Sequence, residues 1–123
     1  LVKRKRLLPE FDLRAFHKLG ALGAGRDENI DKASFLNQIY FVVGKPVTIE
    51  DLEKLQNQKG IKFTDEQIQA YLTQGGLPRL DGDYTVFGEV IEGFDVLMKI
   101  SKTNTDKNDA PLQTIKFKVC IIE

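Results

Sequence analysis

Several residue types are scarce in this chain, and each scarcity excludes a class of protein. A single cysteine, Cys120, rules out an internal disulfide. The one histidine, His17, has no second histidine or nearby cysteine with which to hold a zinc ion, so we expect it to be a surface or loop residue. No apolar stretch approaches the roughly 18 residues of a membrane-spanning helix, and the run at residues 7–9 is too short for a signal peptide.

A surplus of positive charge is also missing. Lys and Arg total 18, and Asp and Glu total 18, so the formal net charge is zero. Because proteins that bind nucleic acid usually carry a basic surplus, this balance argues against a nucleic-acid partner. The short basic run from Lys3 to Arg6 is most simply solvated surface.

No conventional catalytic motif is present. Ser34 and Ser101 do not lie in the G-x-S-x-G sequence of hydrolases. Gly20, Gly23 and Gly25 lack the order, and the following lysine, of a phosphate-binding loop. What remains is a group of apolar and aromatic side chains around a glycine-containing turn, namely Tyr40, Leu80, Tyr84 and Phe87. From composition alone, core packing explains this group.

Hydrophobic periodicity predicts both strands and helices. The strands are expected at residues 21–24, 38–43, 84–91 and 114–122. The helices are expected at residues 48–58, 64–74 and 92–101, the first two opened by capping-box-like patterns at Thr48 and Thr64. Residues 80–83 predict a hairpin turn, and Cys120 is expected to be a small buried residue of the last strand. Four strands alone would leave open sheet edges, which favour aggregation.

The stretch at residues 80–96 carries a specific pattern. Its sequence, LDGDYTVFGEVIEGFDV, is similar to the cyclophilin signature L-D-G-x-(H/Y)-x-V-F-G-x-V-x-x-G-x-D-V. Residues 38–42 (QIYFV) resemble the family's S-Q-F-(F/Y)-I strand, and residues 16–22 (FHKLGAL) resemble its bacterial variant F-H-K-x-G-A-L. Residues 106–112 (DKNDAPL) resemble the family's T-D-x-N-D-x-P-L loop. The stretch at about 48–75 also looks like a helical insert of bacterial, Bacteroidetes-like members.

The resemblance implies a fold and an activity. The implied fold is mainly β with helices, a cyclophilin-like closed antiparallel β-barrel. The implied activity is peptidyl-prolyl cis-trans isomerisation without a cofactor, and the implied partners are proline-containing client polypeptides. The rotation barrier of an X–Pro bond, about 18–20 kcal/mol, falls when the twisted amide is stabilised. In the family an apolar pocket holds the proline ring while a guanidinium donates a hydrogen bond to the prolyl nitrogen.

The same resemblance assigns the proline pocket. Tyr40 falls on the aromatic position that forms the floor of the pocket, and Leu80 falls on its apolar wall. Tyr84 falls on a position that is often histidine, where an aromatic ring keeps the wall.

Four further positions correspond to the groove that holds the peptide. Gln38 matches a glutamine that contacts the peptide backbone, and Gly25 and Arg26 fall in a segment that lines the groove. Arg79 stands where many members have tryptophan, a residue that this chain lacks, which should alter ligand preference.

The family's catalytic arginine lies in an F-H-R-x-(I/V)-x-x-F-x-x-Q-G-G-D pattern, which these 123 residues do not contain. No catalytic residue is therefore identified. We interpret residues 1–123 as the C-terminal part of a cyclophilin-like domain whose N-terminal strands are missing or supplied elsewhere. Omission is favoured over a degenerate domain or strand swapping, because open apolar edges are unfavourable. A non-catalytic peptide-binding domain is the alternative function. By resemblance, a periplasmic or lipid-anchored location is favoured over a cytoplasmic one.

Overall fold

A computed structural model describes residues 5–122 of the chain. Its three strands are β1 (Ala21–Ala24), β2 (Ile39–Phe41) and β3 (Val86–Glu89), and its three α-helices are α1 (Ile49–Lys59), α2 (Asp65–Gln74) and α3 (Phe94–Ser101). The strands form one antiparallel sheet in the order β2–β1–β3. Within the described residues, no helix is long and apolar enough to cross a membrane.

The sheet has one covered face and one open face, because neighbouring side chains of a strand alternate between faces. The covered face carries Ala21 and Val42, which are buried, together with Gly23 and its cross-strand partner Tyr40. The open face carries large apolar side chains that remain substantially exposed, namely Ile39, Phe41 and Phe87.

The helices α1 and α2 build a small core with the loop that precedes β1. Its buried members are Phe16, Leu52, Phe63 and Tyr71. The Tyr71 ring meets the Phe16 and Phe63 rings edge-on, at centroid distances of 5.5 and 6.0 Å. These edge-to-face contacts add to the stabilisation that comes from burying apolar area.

Local capping explains where α1 and α2 begin. Thr48 and Thr64 each accept a hydrogen bond from the third helical residue, whose side chain bonds back to the threonine N–H. Gly60 ends α1 in the left-handed conformation, at φ 64°, where glycine carries no steric penalty. Both predicted helices are confirmed, as is the strand at residues 21–24. The position of this segment as an insert stays a prediction.

Other sequence predictions differ from the structure. The strands β2 and β3 are shorter than predicted, and α3 begins at Phe94. The predicted turn at residues 80–83 is present, since the Asp83 N–H donates to the Leu80 carbonyl at 3.1 Å, but it does not join a hairpin. A 3₁₀ turn (Pro78–Leu80) runs into it, and β3 pairs with β1. The mainly-β class is not established by three short strands, and in residues 5–122 they do not close a barrel.

The predicted strand at residues 114–122 is also wrong. This segment forms no strand, and Phe117 and Ile121 are 84% and 94% exposed. Alternating apolar residues favour a strand, but a strand is stable only when a neighbour shares its hydrogen bonds, and no part of residues 5–122 pairs with it. Cys120 is therefore exposed rather than buried.

The basic run at residues 3–6 lies partly outside the described residues. Lys3 and Arg4 are not described, whereas Arg6 forms an ion pair with Asp27 at 3.0 Å.

We predict that Leu52→Ala lowers the free energy of unfolding by about 2–5 kcal/mol, because it leaves a cavity in the core between the helices. Leu72→Ala is the matched control, since Leu72 lies on α2 and is 41% exposed. Urea denaturation followed by circular dichroism measures both. Equal losses in the two variants would contradict this description of the core.

Candidate functional site

His17 is buried and has partners on both ring nitrogens. Only 1% of the residue is exposed. Its Nδ1 lies 2.7 Å from Oδ1 of Asp81, and its main-chain N–H donates to the same oxygen at 2.9 Å. Its Nε2 lies 2.6 Å from the hydroxyl of Tyr40. His17 does lie in a loop, as predicted, but it is not a surface residue. Composition and spacing did not indicate its burial, because both side-chain partners are distant in sequence.

One assignment of protons satisfies all three groups. Burial raises the pKa of the Tyr40 hydroxyl, and the nearby Tyr84 and Asp81 raise it further, so the hydroxyl keeps its proton at neutral pH. In the imidazole tautomer protonated at Nδ1, this nitrogen donates to the Asp81 carboxylate and Nε2 accepts from the Tyr40 hydroxyl. We assign this tautomer from the hydrogen-bond partners.

Asp81 also accepts a hydrogen bond from the helix α2. The Tyr71 hydroxyl, on α2, donates a short hydrogen bond to Oδ2 of Asp81. Burial and the Asp81 charge raise the pKa of Tyr71, so this hydroxyl also stays protonated. Tyr71, Asp81, His17 and Tyr40 thus form one continuous set of hydrogen bonds, here called the buried polar chain, which joins α2 to β2.

Tyr84 and Arg26 continue the arrangement beyond Tyr40. The Tyr84 ring meets the Tyr40 ring edge-on, with centroids 6.1 Å apart and an interplanar angle of 82°. The Arg26 guanidinium lies 4.6 Å from the centroid of the Tyr84 ring. Nε of Arg26 donates to the carbonyl of Asp83 at 2.6 Å, which holds the guanidinium over the ring.

Two lysines fix the turn that carries Asp81. Nζ of Lys59, at the end of α1, donates to the carbonyls of Arg79 and Asp81 at 2.6 and 2.8 Å, and contacts Asp83 at 2.9 Å. Lys32 contacts the other oxygen of Asp83 at 2.6 Å. Partial burial raises the pKa of Asp83, but hydrogen bonds from the two lysines outweigh burial and leave it lowered. Asp83 therefore stays ionised at neutral pH and holds both ammonium groups.

The structure brings several of the predicted site residues together. Tyr40, Tyr84 and Arg26 form the contact series described above. Gly25 lies beside Gln38, and its N–H donates to the Gln38 carbonyl at 2.9 Å.

Leu80 and Arg79, the two predicted site residues of the turn before Asp81, lie outside this contact series. Leu80 is partly buried in the turn before Tyr84, and its carbonyl accepts the Tyr84 N–H at 3.0 Å. Arg79 is exposed and lines a cleft of about 340 Å³ beside α1. Gln38 lines a groove of about 680 Å³ that also reaches Ile39 and Phe87 of the open face.

Sequence reasoning missed His17, Asp81 and Tyr71. His17 and Asp81 lie inside the FHKLGAL and LDG patterns, so the patterns marked their positions. Their contact joins residues 64 positions apart, and one sequence gives no signal for it.

Tyr40, Tyr84 and Arg26 therefore form one aromatic site next to the covered face. Comparison with known proteins identifies the class of protein. Residues 3–122 match the family model described as cyclophilin type peptidyl-prolyl cis-trans isomerase/CLD. The chain belongs to the cyclophilin-type peptidyl-prolyl cis-trans isomerase family, which confirms the resemblance noted in the sequence.

Individual relatives are also named as peptidyl-prolyl cis-trans isomerases. A putative peptidyl-prolyl cis-trans isomerase of Staphylococcus aureus is 31% identical over 114 residues, covering 93% of this chain and 55% of that protein. A peptidyl-prolyl cis-trans isomerase of Arabidopsis thaliana is 38% identical over 73 residues, covering 59% of this chain and 10% of that protein. The peptidyl-prolyl cis-trans isomerase-like 2 of Rhizopus delemar is 44% identical over 50 residues, covering 41% and 9% respectively. The chain thus spans about half the length of the bacterial relative and about a tenth of the other two.

We predict that Gly23→Ala displaces the Tyr40 ring. A Cβ at residue 23 would lie 2.1 Å from Cζ of Tyr40 and 2.3 Å from its hydroxyl oxygen, which no packed structure tolerates. The expected loss of stability is about 1–3 kcal/mol, measured by urea denaturation. The ring nitrogen signals of His17 in NMR spectra should shift as well.

Gly88→Ala is the control for this substitution. A Cβ at Gly88 would approach only the flexible Leu22 side chain, at 3.3 Å, so a smaller effect is expected. A Gly23→Ala protein with unchanged stability and unchanged His17 signals would contradict the packing of Tyr40 over β1.

Proposed function

We propose that this chain forms the proline-binding part of a peptidyl-prolyl cis-trans isomerase that acts on proline-containing client polypeptides. The observation that carries the proposal is the contact of Tyr40 with Tyr84. These two family-matched residues lie on β2 and in the turn before β3, and their ring centroids are still only 6.1 Å apart. Neither residue is fully buried, so a ligand can reach them. An aromatic floor of this kind suits the apolar pyrrolidine ring.

The chemistry needs no covalent step. Rotation about the X–Pro bond breaks amide conjugation, at a cost of about 18–20 kcal/mol. A pocket that holds the proline ring, together with a donor to the prolyl nitrogen, favours the twisted amide over the planar one. We assign the floor to Tyr40, the walls to Leu80 and Tyr84, and the groove to Gly25, Arg26 and Gln38. The donor guanidinium is proposed to come from residues outside these 123, since the family's arginine pattern is absent from them.

The complete fold is proposed to be the closed antiparallel barrel of the family. Two observations support further strands. The open face exposes Ile39, Phe41 and Phe87 by 59%, 47% and 56%, and apolar faces of this kind are normally covered. The alternating apolar residues at 114–122 also have no strand partner in residues 5–122. A periplasmic or lipid-anchored location is proposed from the family resemblance alone.

The second candidate function is peptide binding without catalysis. The missing arginine pattern favours it. The two functions differ in one measurable property, because both bind a proline-containing peptide but only an isomerase accelerates its cis–trans exchange.

The decisive test is NMR exchange spectroscopy of a proline-containing tetrapeptide with the full-length natural protein. We expect accelerated exchange, and we expect Tyr40→Ala to lower kcat/KM by about tenfold or more, because it removes the floor of the pocket. Leu72→Ala, on the exposed side of α2, is the control and should leave exchange unchanged. Binding without acceleration would favour the non-catalytic function, and full activity in Tyr40→Ala would refute the pocket assignment.

The 123-residue chain gives a second test. We expect it to bind the tetrapeptide weakly and to show little or no acceleration of exchange, because it lacks the proposed guanidinium. The same spectra measure both properties. Turnover comparable to that of the full-length protein would show that the donor lies within these residues.

A further inference from the structure

The floor of the proposed pocket is tied to a buried histidine. The Tyr40 and His17 rings lie nearly parallel, with centroids 5.8 Å apart and an interplanar angle of 9°, and the Tyr40 hydroxyl is hydrogen-bonded to Nε2 of His17 at 2.6 Å. The absence of a side chain at Gly23 makes this arrangement possible, because the Tyr40 ring occupies the space where a Cβ would stand. Tyr40 is therefore held on one side by backbone and at its tip by imidazole.

We propose that His17 is a positioning residue for the proline pocket, fixing the Tyr40 ring through the hydrogen bond to its hydroxyl. The proposal rests on the proposed function, in which Tyr40 is the floor of the pocket. His17 itself is buried and does not touch the peptide; it acts through Tyr40.

The imidazole can position Tyr40 because it is itself held by hydrogen bonds. Its main-chain N–H and its Nδ1 both bind Oδ1 of Asp81. The other Asp81 oxygen accepts the Tyr71 hydroxyl, and the Asp81 carbonyl accepts Nζ of Lys59. The ring therefore has partners on both edges, and in the assigned tautomer its Nε2 presents one acceptor in one direction. The helices α1 and α2 thereby support the pocket floor without touching a peptide.

Loss of the imidazole would free the Tyr40 ring. A tyrosine hydroxyl that loses its partner in a partly buried site must find water or another acceptor, and the ring turns with it. A ring that samples several orientations makes a poorer floor. Since the floor contacts the proline ring in the planar and the twisted amide alike, the change should appear in KM and peptide affinity more than in kcat.

A double-mutant cycle in the full-length protein tests this proposal. The variants are Tyr40→Phe, His17→Phe and the double substitution, and NMR titration with the proline-containing tetrapeptide gives the dissociation constant for each. We expect about a three- to tenfold weaker affinity in each single variant. The double variant should be no weaker than His17→Phe alone, because both substitutions remove the same hydrogen bond. Losses that multiply in the double variant would overturn the proposal, since His17 would then act independently of the Tyr40 hydroxyl.

A spectroscopic measurement decides the outcome if His17→Phe does not fold. Tyr40→Phe retains the bond of His17 to Asp81, and it keeps the ring at position 40. The ring ¹⁵N signals of His17 should show the tautomer protonated at Nδ1 in the natural protein, and the Nε2 signal should shift in Tyr40→Phe as its donor is lost. An unshifted Nε2 signal, or an unchanged affinity in Tyr40→Phe, would overturn the proposal.

Failure of this proposal is distinguishable from failure of the proposed function. If Tyr40→Ala abolishes peptide binding while Tyr40→Phe binds as the natural protein does, the pocket stands and the positioning role of His17 is refuted. If Tyr40→Ala binds normally, the pocket assignment itself is wrong, and the positioning role is overturned with it.

Discussion

The Asp81 carboxylate is the acceptor on which the described part of the site depends. It receives two hydrogen bonds from His17 and one from Tyr71, while its own turn is held by Lys59. Its side chain is only 10% exposed, and a buried charge is tolerated only when hydrogen bonds replace its lost hydration. The buried polar chain therefore fixes four distant segments, the loop before β1, the strand β2, the helix α2 and the turn before β3, in one relative arrangement.

This constraint explains why the helical segment matters to a site that it does not line. Tyr71 packs in the core between the helices through its ring and binds Asp81 through its hydroxyl. Apolar packing of the ring thus sets the position of the Tyr71 hydroxyl. This hydroxyl binds Asp81, and Asp81 in turn orients His17. A disturbance of the helical core would reach Tyr40 through two side chains, and each step is a direct contact.

Local signals in the sequence predicted the parts of the fold that depend on local physics. The capping patterns at Thr48 and Thr64 and the glycine at residue 60 predicted the bounds of the helices to within one or two residues, because capping involves neighbours in the chain. The predicted strand at residues 114–122 was wrong for the opposite reason, since a strand requires a partner elsewhere in the fold. The burial of His17 was missed for the same reason, because it depends on a contact with the distant Asp81. The family patterns marked the site's positions, yet the hydrogen bonds among them required the structure.

The two faces of the sheet differ in how far the described residues cover them. On the covered face, Gly23 admits the Tyr40 ring and the buried polar chain holds it. On the open face, Ile39, Phe41 and Phe87 are exposed, and Ile39 and Phe87 line a groove of about 680 Å³. Because adjacent residues of β2 point to opposite faces, Tyr40 can belong to the site while its two neighbours face the side on which we propose the remaining strands. The Tyr40–Tyr84 contact and the hydrogen bond of Tyr40 to His17 are thus made entirely by residues of this chain.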